Sequence, residues 1–342
     1  MTTIDPALRL LVREIFGHDT PGPVPEATGN PKLWAALAGS ELPWVGIPES
    51  AGGAGGTLAD AADVVRAAGA YAAALPLAET VMAGWALAAS GLAVPRSPLS
   101  VVPVPGTVRA TWSAGSWILD GVAQRVPWAH AVERIVALCA TGDGMVVASI
   151  PTSGLDIGPG HNLAGEPRNS VTLHGVRLGA EDVVPASIDA TQWQARGALV
   201  RALSMAGSLE TVLELTRHYT AERVQFGRPI ARFQAVQQLV VRIAEEVAVT
   251  VMANQKAVAA DAAFDQVATA KCIAGEAADA ASAAAHQAHG AMGLTIEYPL
   301  QLHTRRLWSY SREFGTTASW QRVIGNGVTH AGAANVWDLI VG

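Results

Sequence analysis

An arginine and a glutamine flank a break in an otherwise helical pattern, and together they could bind a phosphorylated ligand. Arg223 and Gln234 lie in ERVQFGRPIARFQAVQQLV (222–240), where a continuous helix would place both on one face. The Phe-Gly-Arg-Pro sequence at 226–229 interrupts that helix, because proline lacks an N–H and glycine frees the backbone. We therefore expect Arg223 before a break and Gln234 at the start of the next helix. An arginine fork suits a diphosphate and a glutamine amide suits a base or sugar, but a solvated surface pair is the simpler interpretation without further context.

Other chemistry-bearing patterns are weaker. The sequence ESAGGAGGT (49–57) superficially resembles a phosphate loop, but no Lys-Ser/Thr follows and no strand precedes it, so we predict a turn between two helices. His286 and His289 have helical spacing but no third ligand nearby, which favours packing and no metal. Cys139 and Cys272 match no metal or redox spacing, which is typical of reduced thiols in a cytoplasmic protein.

Composition limits the possible partners. Half of the 342 residues are hydrophobic and only 15% are charged, so we expect a large core and apolar surface buried against another subunit. The net charge is −6 without a basic block, which argues against nucleic acid. The amphipathic start carries early acidic residues, unlike a signal peptide, and the alanine-rich stretch 251–289 contains charges that favour bundle helices over membrane spans.

The chain divides into helical, β and helical regions. Residues 1–94 show helical periodicity punctuated by glycine and proline. Residues 95–188 contain short β-branched segments without helical crossovers, which predicts an antiparallel β-domain. In residues 189–342 the helical period returns, and this predicts a bundle of long helices. The four predicted long helices span 191–222, 232–259, 261–290 and 316–337.

Three segments carry a resemblance to a known family. The pattern Arg-x-x-Phe-Gly-x-x-Ile-x-x-x-Gln at 223–234 resembles the flavin motif of the acyl-CoA dehydrogenases. HQAHGAMGLTIEYPLQLHTRR (286–306) is similar to their Gln-x-x-Gly-Gly-x-Gly…Glu-Tyr-Pro segment, and LPWVGIPESAGGAGGT (42–57) is similar to their Pro-Glu-x-x-Gly-Gly turn. The resemblance is strong over 200–342, fair over 30–90 and weak in the β region. On these motifs the chain is identified as a member of that family.

The resemblance implies a fold, a cofactor and a division of labour between subunits. It implies a mainly α fold with an N-terminal helical domain, a central β-barrel-like domain and a C-terminal four-helix bundle, usually assembled as a tetramer. FAD lies between subunits, where one subunit covers the isoalloxazine and supplies a catalytic base while its neighbour completes the site. Electron-transfer flavoprotein is the implied electron acceptor. The completing residues, carried over by position, are Arg223, Gln225, Phe226, Gln234, Gln287 and Gly290. The second glycine of the family's pair is Ala291, whose methyl group narrows the approach to a phosphate.

The residues that would serve this chain's own flavin are replaced. The family's catalytic glutamate falls on Phe314, and the alternative position of that glutamate, on an earlier helix, falls on Gly197. The flavin-covering Trp-x-Thr falls on Arg125 and Pro127, and the family's glutamine after Gly-Thr falls on Ala318. Phenylalanine and glycine cannot accept a proton, so neither family route to a base is available.

The chain keeps the residues that would reach a neighbour's flavin and lacks those that would serve a flavin of its own. This difference favours one interpretation over two others. The chain resembles the subunit without the catalytic glutamate in heteromeric, steroid-catabolism-type acyl-CoA dehydrogenases. It would complete the FAD site of a homologous catalytic partner in an α₂β₂ complex, with the acyl-CoA bound at the partner's site. One alternative is a self-sufficient homomeric enzyme that uses Glu313 as base, although a one-residue shift on a helix rotates a side chain by about 100°. Another is a structural helical partner without flavin contact.

Overall fold

Among the described residues, helices precede and follow a central region of strands. The computed structural model describes residues 6–17, 29–332 and 337. The N-terminal helices are α1 (Pro6–Gly17), α2 (Pro31–Gly39), α3 (Leu58–Ala70) and α4 (Leu77–Ala89). The Asn30 side chain caps α2, and Thr57 with Asp60 forms a capping box that begins α3, so local sequence fixes where both helices start.

The glycine-rich segment 49–57 is a turn between α2 and α3, as predicted. It contains one short 3₁₀ turn, Glu49–Ala51, and no strand precedes it. A Cβ on Gly53 would lie 2.0 Å from the carbonyl oxygen of Ile47, so only glycine allows the two backbone stretches to approach this closely. The glycines therefore serve the packing of the turn.

The strands of the central region are β1 (Leu99–Val101), β2 (Val108–Ser113), β3 (Ser116–Pro127), β4 (Arg134–Ala140), β5 (Met145–Pro151), β6 (Asp156–Gly158), β7 (Arg168–Leu178) and β8 (Val183–Pro185). They form one sheet, whose order is β6-β7-β3-β2-β4-β5-β8 with β1 beside β4. The expected antiparallel pairing holds for most neighbours, but β1–β4 and β2–β4 are parallel. This differs from the prediction because the short β1 enters the sheet beside β4, a pairing that no local pattern signals.

Long helices make up the C-terminal part of the structure. They are α5 (Ala190–Glu222), α6 (Gln234–Ala259), α7 (Phe264–His289), α8 (Leu300–Tyr310) and α9 (Thr317–Ala331). The helix predicted at 261–290 begins only at Phe264, because Asp261 and Ala262 have left-handed φ values of 49° and 61°. The helix predicted at 316–337 extends to Ala331, and 333–336 lie outside the described residues. The short helix α8 was not predicted. No helix in the described ranges is long and apolar enough to cross a bilayer.

Two glycines allow α3 to pack directly against α5. A Cβ on Gly69 would lie 2.0 Å from the Ser204 carbonyl oxygen, and one on Gly207 would lie 1.9 Å from the Arg66 carbonyl oxygen. The Ser208 hydroxyl also donates a 3.0 Å hydrogen bond to the Gly69 carbonyl. This close approach holds α5 against the N-terminal helices. Helix α5 contains Gly197 and ends beside Arg223.

Candidate functional site

The chain turns sharply between α5 and α6, as its glycine and proline predict. Helix α5 ends at Glu222, Arg223 is its C-cap residue, and α6 begins at Gln234. A short hairpin joins the two helices, and its strands, β9 (Val224–Gln225) and β10 (Arg228–Pro229), have two residues each. Phe226 and Gly227 form its tip with φ values of 52° and 78°. The structure therefore presents Arg223 and Gln234 at the two ends of an exposed loop.

The loop tip is apolar and exposed. The Phe226 side chain is 91% exposed and contacts Phe233 edge-on, with ring centroids 6.0 Å apart. The Arg228 guanidinium lies 4.3 Å from the centre of the Phe233 ring. Phenylalanine at positive φ is strained, and strain of this kind persists where the surrounding structure or function requires it. The exposed Phe226 ring is therefore free to contact a second molecule at this loop.

The second family segment lies at the end of α7, beside the end of α5. The imidazole of His289 stacks on the Tyr219 ring at 4.5 Å, and the Tyr298 hydroxyl donates to the Leu215 carbonyl. These contacts join the last turns of α5 and α7, and so bring the Arg223 and Gln287 segments to the same end of the bundle.

The Gln287 segment presents polar groups to solvent. Gln287, Gly290 and Ala291 are exposed, and Gly290 ends α7 with φ 59° and ψ −140°, a conformation that suits glycine. The side chains of Gln234 and Gln287 make no hydrogen bond within the described parts of the chain, and Arg223 makes no ion pair there. An arginine fork and two unused amides are the donors and acceptors that a dinucleotide requires, so these residues fit FAD.

The two histidines of this segment are engaged in packing. His286 stacks on Trp308 and shares a 3.0 Å hydrogen bond with the Thr304 hydroxyl, while a ring nitrogen of His289 lies 2.8 Å from the Ala285 carbonyl oxygen. Burial lowers the pKa of both imidazoles. Within the described ranges no three His, Cys, Asp or Glu side chains are grouped as metal ligands. Both cysteines are free and buried.

The two positions where the family places its base are in direct contact. Phe314 is only 7% exposed, and its ring lies against Gly197 of α5. A Cβ on Gly197 would lie 2.1 Å from Cδ1 of Phe314, so the ring occupies the space that a side chain at 197 would need. Phe314 has φ 51° and belongs to a turn between α8 and α9, not to a helix. The helical-rotation argument for Glu313 is therefore wrong, since α8 already ends at Tyr310.

Glu313 is tied to two arginines. Its carboxylate accepts 2.8 and 3.1 Å hydrogen bonds from Arg168 of β7 and a 2.7 Å hydrogen bond from Arg201 of α5. Its side chain is 16% exposed. Burial alone would raise the pKa of Glu313, but Arg168 and Arg201 outweigh it and hold the pKa at about 2. A carboxylate with so low a pKa is a weak base near neutral pH.

The same arginines connect all three regions of the chain. Arg201 also donates a 2.5 Å hydrogen bond to Glu79 of α4, and Arg168 also donates to Glu166 at 3.1 Å. Arg306 of α8, which is 1% exposed, donates to Glu166 at 2.9 Å. Three carboxylates and three guanidinium groups thus share one buried cluster, which we call the six-charge cluster. Its pairing satisfies charges that would be very costly if buried alone.

Lys271 holds the turn that carries Glu313 and Phe314. Its amino group donates 3.0 Å hydrogen bonds to the carbonyls of Ser311 and Gly315, at the two ends of that turn. Burial lowers the pKa of Lys271 to about 7. These two hydrogen bonds tie the two ends of the turn together.

A cleft of about 650 Å³ lies between the β-sheet and the C-terminal helices. Arg125 and Pro127, which replace the family's flavin-covering pair, line this cleft. Arg125 lies in a β-bulge between Ala123 and Val126, where the pairing of β3 with β7 shifts, and it has φ 59°. Asp279 of α7 also lines the cleft and was not singled out from the sequence, where one exposed carboxylate carries no signal. Ala318 is exposed. Residues that line the cleft include Arg125, Pro127, Gln194, Trp308, Glu313 and Phe314.

Replacing Gly197 by alanine should destabilise the protein through a clash with Phe314. Forcing an extra methyl group into a packed core costs about 1–3 kcal/mol, and here the nearest atoms belong to a buried ring. Gly325→Ala in α9 is the matched control, since a Cβ there meets nothing within 4 Å and should be neutral or stabilising. In the Phe314→Ala background Gly197→Ala should cost much less. Urea denaturation of the four variants measures the coupling, and equal effects of Gly197→Ala in both backgrounds would contradict the contact.

Comparisons with known proteins identify the family. The profile described as "Acyl-CoA dehydrogenase, C-terminal domain" matches residues 191–329. Acyl-CoA dehydrogenase IpdE2 of Mycobacterium tuberculosis is 32% identical over 266 residues, which are 76% of this chain and 74% of that protein. The chain therefore belongs to the acyl-CoA dehydrogenase family of oxidoreductases, whose members are FAD flavoproteins.

Two solved structures show the same fold. The ChsE4-ChsE5 complex from Mycobacterium tuberculosis contains a chain with a TM-score of 0.90 and 24% identity, over 97% of this chain and 99% of that one. A variant of the Tcur3481-Tcur3483 steroid ACAD matches with a TM-score of 0.86 and 24% identity, over 95% and 97% of the two chains. The predicted mainly α fold with a central β-domain is thereby confirmed.

Proposed function

We propose that this chain is the subunit without a catalytic base in a heteromeric acyl-CoA dehydrogenase, where it completes the FAD site of a homologous catalytic partner. The observation that carries this proposal is the contact between Phe314 and Gly197, because it fills both family base positions with groups that cannot accept a proton. The second half of the proposal is supported by the exposed side chains of Arg223, Gln234 and Gln287, which make no hydrogen bond or ion pair within the described part of the chain. They would bind the diphosphate and adenosine of a flavin seated mainly in the partner.

The proposed reaction is the α,β-dehydrogenation of an acyl-CoA thioester. The partner's base removes the α-proton, and the bound flavin supplies the acceptor for the hydride that leaves the β-carbon. This chain contributes a fork of N–H donors at Arg223 and amide groups that orient the dinucleotide. Its own cleft has Phe314 in place of a base and so does not take part in the proton removal. Electron-transfer flavoprotein is the proposed acceptor. A bulky, steroid-derived acyl group is the proposed substrate class, supported by the likeness to the Tcur3481-Tcur3483 steroid ACAD.

The competing functions are less well supported by the site. A self-sufficient enzyme would need Glu313 as base, but Arg168 and Arg201 hold that carboxylate ionised with a pKa of about 2. A purely structural partner would have no use for the exposed side chains of Arg223 and Gln287, which make no hydrogen bond within the described residues.

The number of flavins per complex tests the proposal. The chain should be produced alone and together with the product of its neighbouring open reading frame, and flavin should be quantified by absorbance at about 450 nm. We expect no bound flavin on the chain alone and two flavins per α₂β₂ complex, since each completed site needs residues from both kinds of subunit. One flavin per chain, or activity of the isolated chain, would contradict the proposal.

A further inference from the structure

Three polar side chains follow one another along an exposed face of α6. Gln234, Gln238 and Arg242 recur every four residues, so they lie on one side of the helix, and all three are exposed. Gln234 belongs to the family motif, whereas Gln238 and Arg242 lie beyond it. The face therefore continues the motif surface toward the C-terminal end of α6.

Two surface cavities place Gln238 and Arg242 between the two family segments. One, of about 590 Å³, is lined by Gln234, Gln238 and Arg242 among others. The other, of about 480 Å³, is lined by Gln238, Arg242 and Gln287 among others. Since both cavities share Gln238 and Arg242, these residues connect Gln234 of α6 with Gln287 of α7 in one continuous surface.

The charge of Arg242 is available to a ligand. Glu245 and Glu246 line the first cavity with it, yet Arg242 makes no ion pair within 4.0 Å across the described ranges. By contrast, the arginines of the six-charge cluster are each paired with carboxylates. An exposed, unpaired guanidinium between two polar amides can donate hydrogen bonds and can stack on an aromatic base.

We infer that the dinucleotide site extends along α6, and that Gln238 and Arg242 bind the adenosine half of the partner's FAD. This inference rests on the proposed function. Arg242 lies two helical turns beyond Gln234, roughly 12 Å along the helix. A diphosphate bound at Gln234 does not span that distance, so the part of the ligand that reaches Arg242 is the adenosine. The guanidinium plane stacks on the adenine or donates to its ring nitrogens, and the Gln238 amide bonds to the same base or its ribose.

Flavin and ADP affinities of the reconstituted complex test this assignment. Arg242→Gln should weaken binding of FAD to the flavin-free complex by about tenfold or more, because charge-assisted contacts are lost. ADP carries the adenosine half alone, so its inhibition constant against FAD should rise by a similar factor. Arg242→Lys should restore only part of the affinity, since lysine keeps the charge but lacks the planar fork. Arg322→Gln, at an exposed arginine of α9, is the matched control and should change neither value.

Three outcomes would overturn the inference, and they differ from a failure of the proposed function. If Arg223→Ala releases FAD but Arg242→Gln behaves like the Arg322 control, the extension along α6 is wrong and the proposed function stands. If Arg242→Gln weakens assembly of the flavin-free complex, measured by sedimentation, Arg242 contacts the partner chain instead. If neither the Arg223 nor the Arg242 variant affects FAD, both proposals fail.

Discussion

Arg223→Ala is expected to release FAD from the complex while leaving the fold of this chain intact. A hydrogen bond to a charged group contributes about 1.5–3 kcal/mol, so losing the fork at the diphosphate should weaken FAD binding by about ten- to a hundredfold. Arg223 is an exposed C-cap residue without an ion pair in the described parts of the chain, so the substitution should cost little stability. Flavin absorbance after gel filtration, together with a melting curve, separates the two effects.

Two further variants sharpen this experiment. Arg223→Lys should restore FAD only in part, because an ammonium group lacks the planar fork that matches a diphosphate. Arg217→Ala removes another exposed arginine of α5, which pairs with Glu214 at 2.8 Å, and an exposed pair of this kind contributes little. Full flavin occupancy and full activity in the Arg223→Ala complex would show that the residue does not reach the partner's flavin.

The break that presents Arg223 was predictable because its cause is local. Pro229 lacks the N–H that a helix needs and Gly227 adopts a left-handed φ of 78°, and the structure ends α5 and begins α6 on either side of them. The capped starts of α2 and α3 are equally local. Features that depend only on neighbouring residues are therefore the part of the fold that this sequence specified most clearly.

Helix α8 was not predicted because polar residues share its buried face with apolar ones. His303, Thr304 and Arg306 are all nearly fully buried, whereas a search for helical periodicity looks for apolar residues at such positions. Arg306 can be buried only because Glu166, 140 residues earlier in the chain, accepts its hydrogen bond. A pairing across that separation has no signature in a single sequence.

The contact between Phe314 and Gly197 is a second feature that could not be predicted from the sequence. Each position could be aligned with the family base, but nothing in the sequence indicates that the ring fills the space above the glycine. The turn at 311–316 was not predictable from the sequence either, because Phe314 adopts φ 51°, a conformation that phenylalanine does not favour. Tertiary contacts, including two hydrogen bonds from Lys271, hold that turn in place.

Glu313→Gln should strongly destabilise the chain and leave turnover of the complex nearly unchanged. Removing one partner of a buried ion pair typically costs about 3–5 kcal/mol, because the remaining charges lose their compensation. Here Arg168 and Arg201 would each face a neutral amide that cannot accept from both as strongly as a carboxylate does. Glu214→Gln, at an exposed pair on α5, is the control and should shift the melting temperature little.

The pH dependence of stability should confirm why the Glu313 substitution is costly. The pKa of Glu313 is depressed from an ordinary 4.5 to about 2, so its contribution is present above about pH 4.5 and is lost as the pH falls toward 2. The difference in melting temperature between wild type and Glu313→Gln should therefore be largest near neutral pH and should shrink in acid. A difference that stays constant from pH 6 to pH 3 would contradict the depressed pKa.

Turnover then separates the structural role of Glu313 from a role as base. Activity should be measured well below the melting temperature of the variant, so that both complexes are folded. Loss of a general base typically costs about 10²–10⁴-fold in rate, whereas a residue that only joins domains should leave turnover within a small factor. Asp279→Asn tests the other carboxylate that lines the cleft among the described residues, and it should also leave turnover unchanged. A loss of two or more orders of magnitude in a folded Glu313→Gln complex would assign the base to this chain and favour the self-sufficient enzyme.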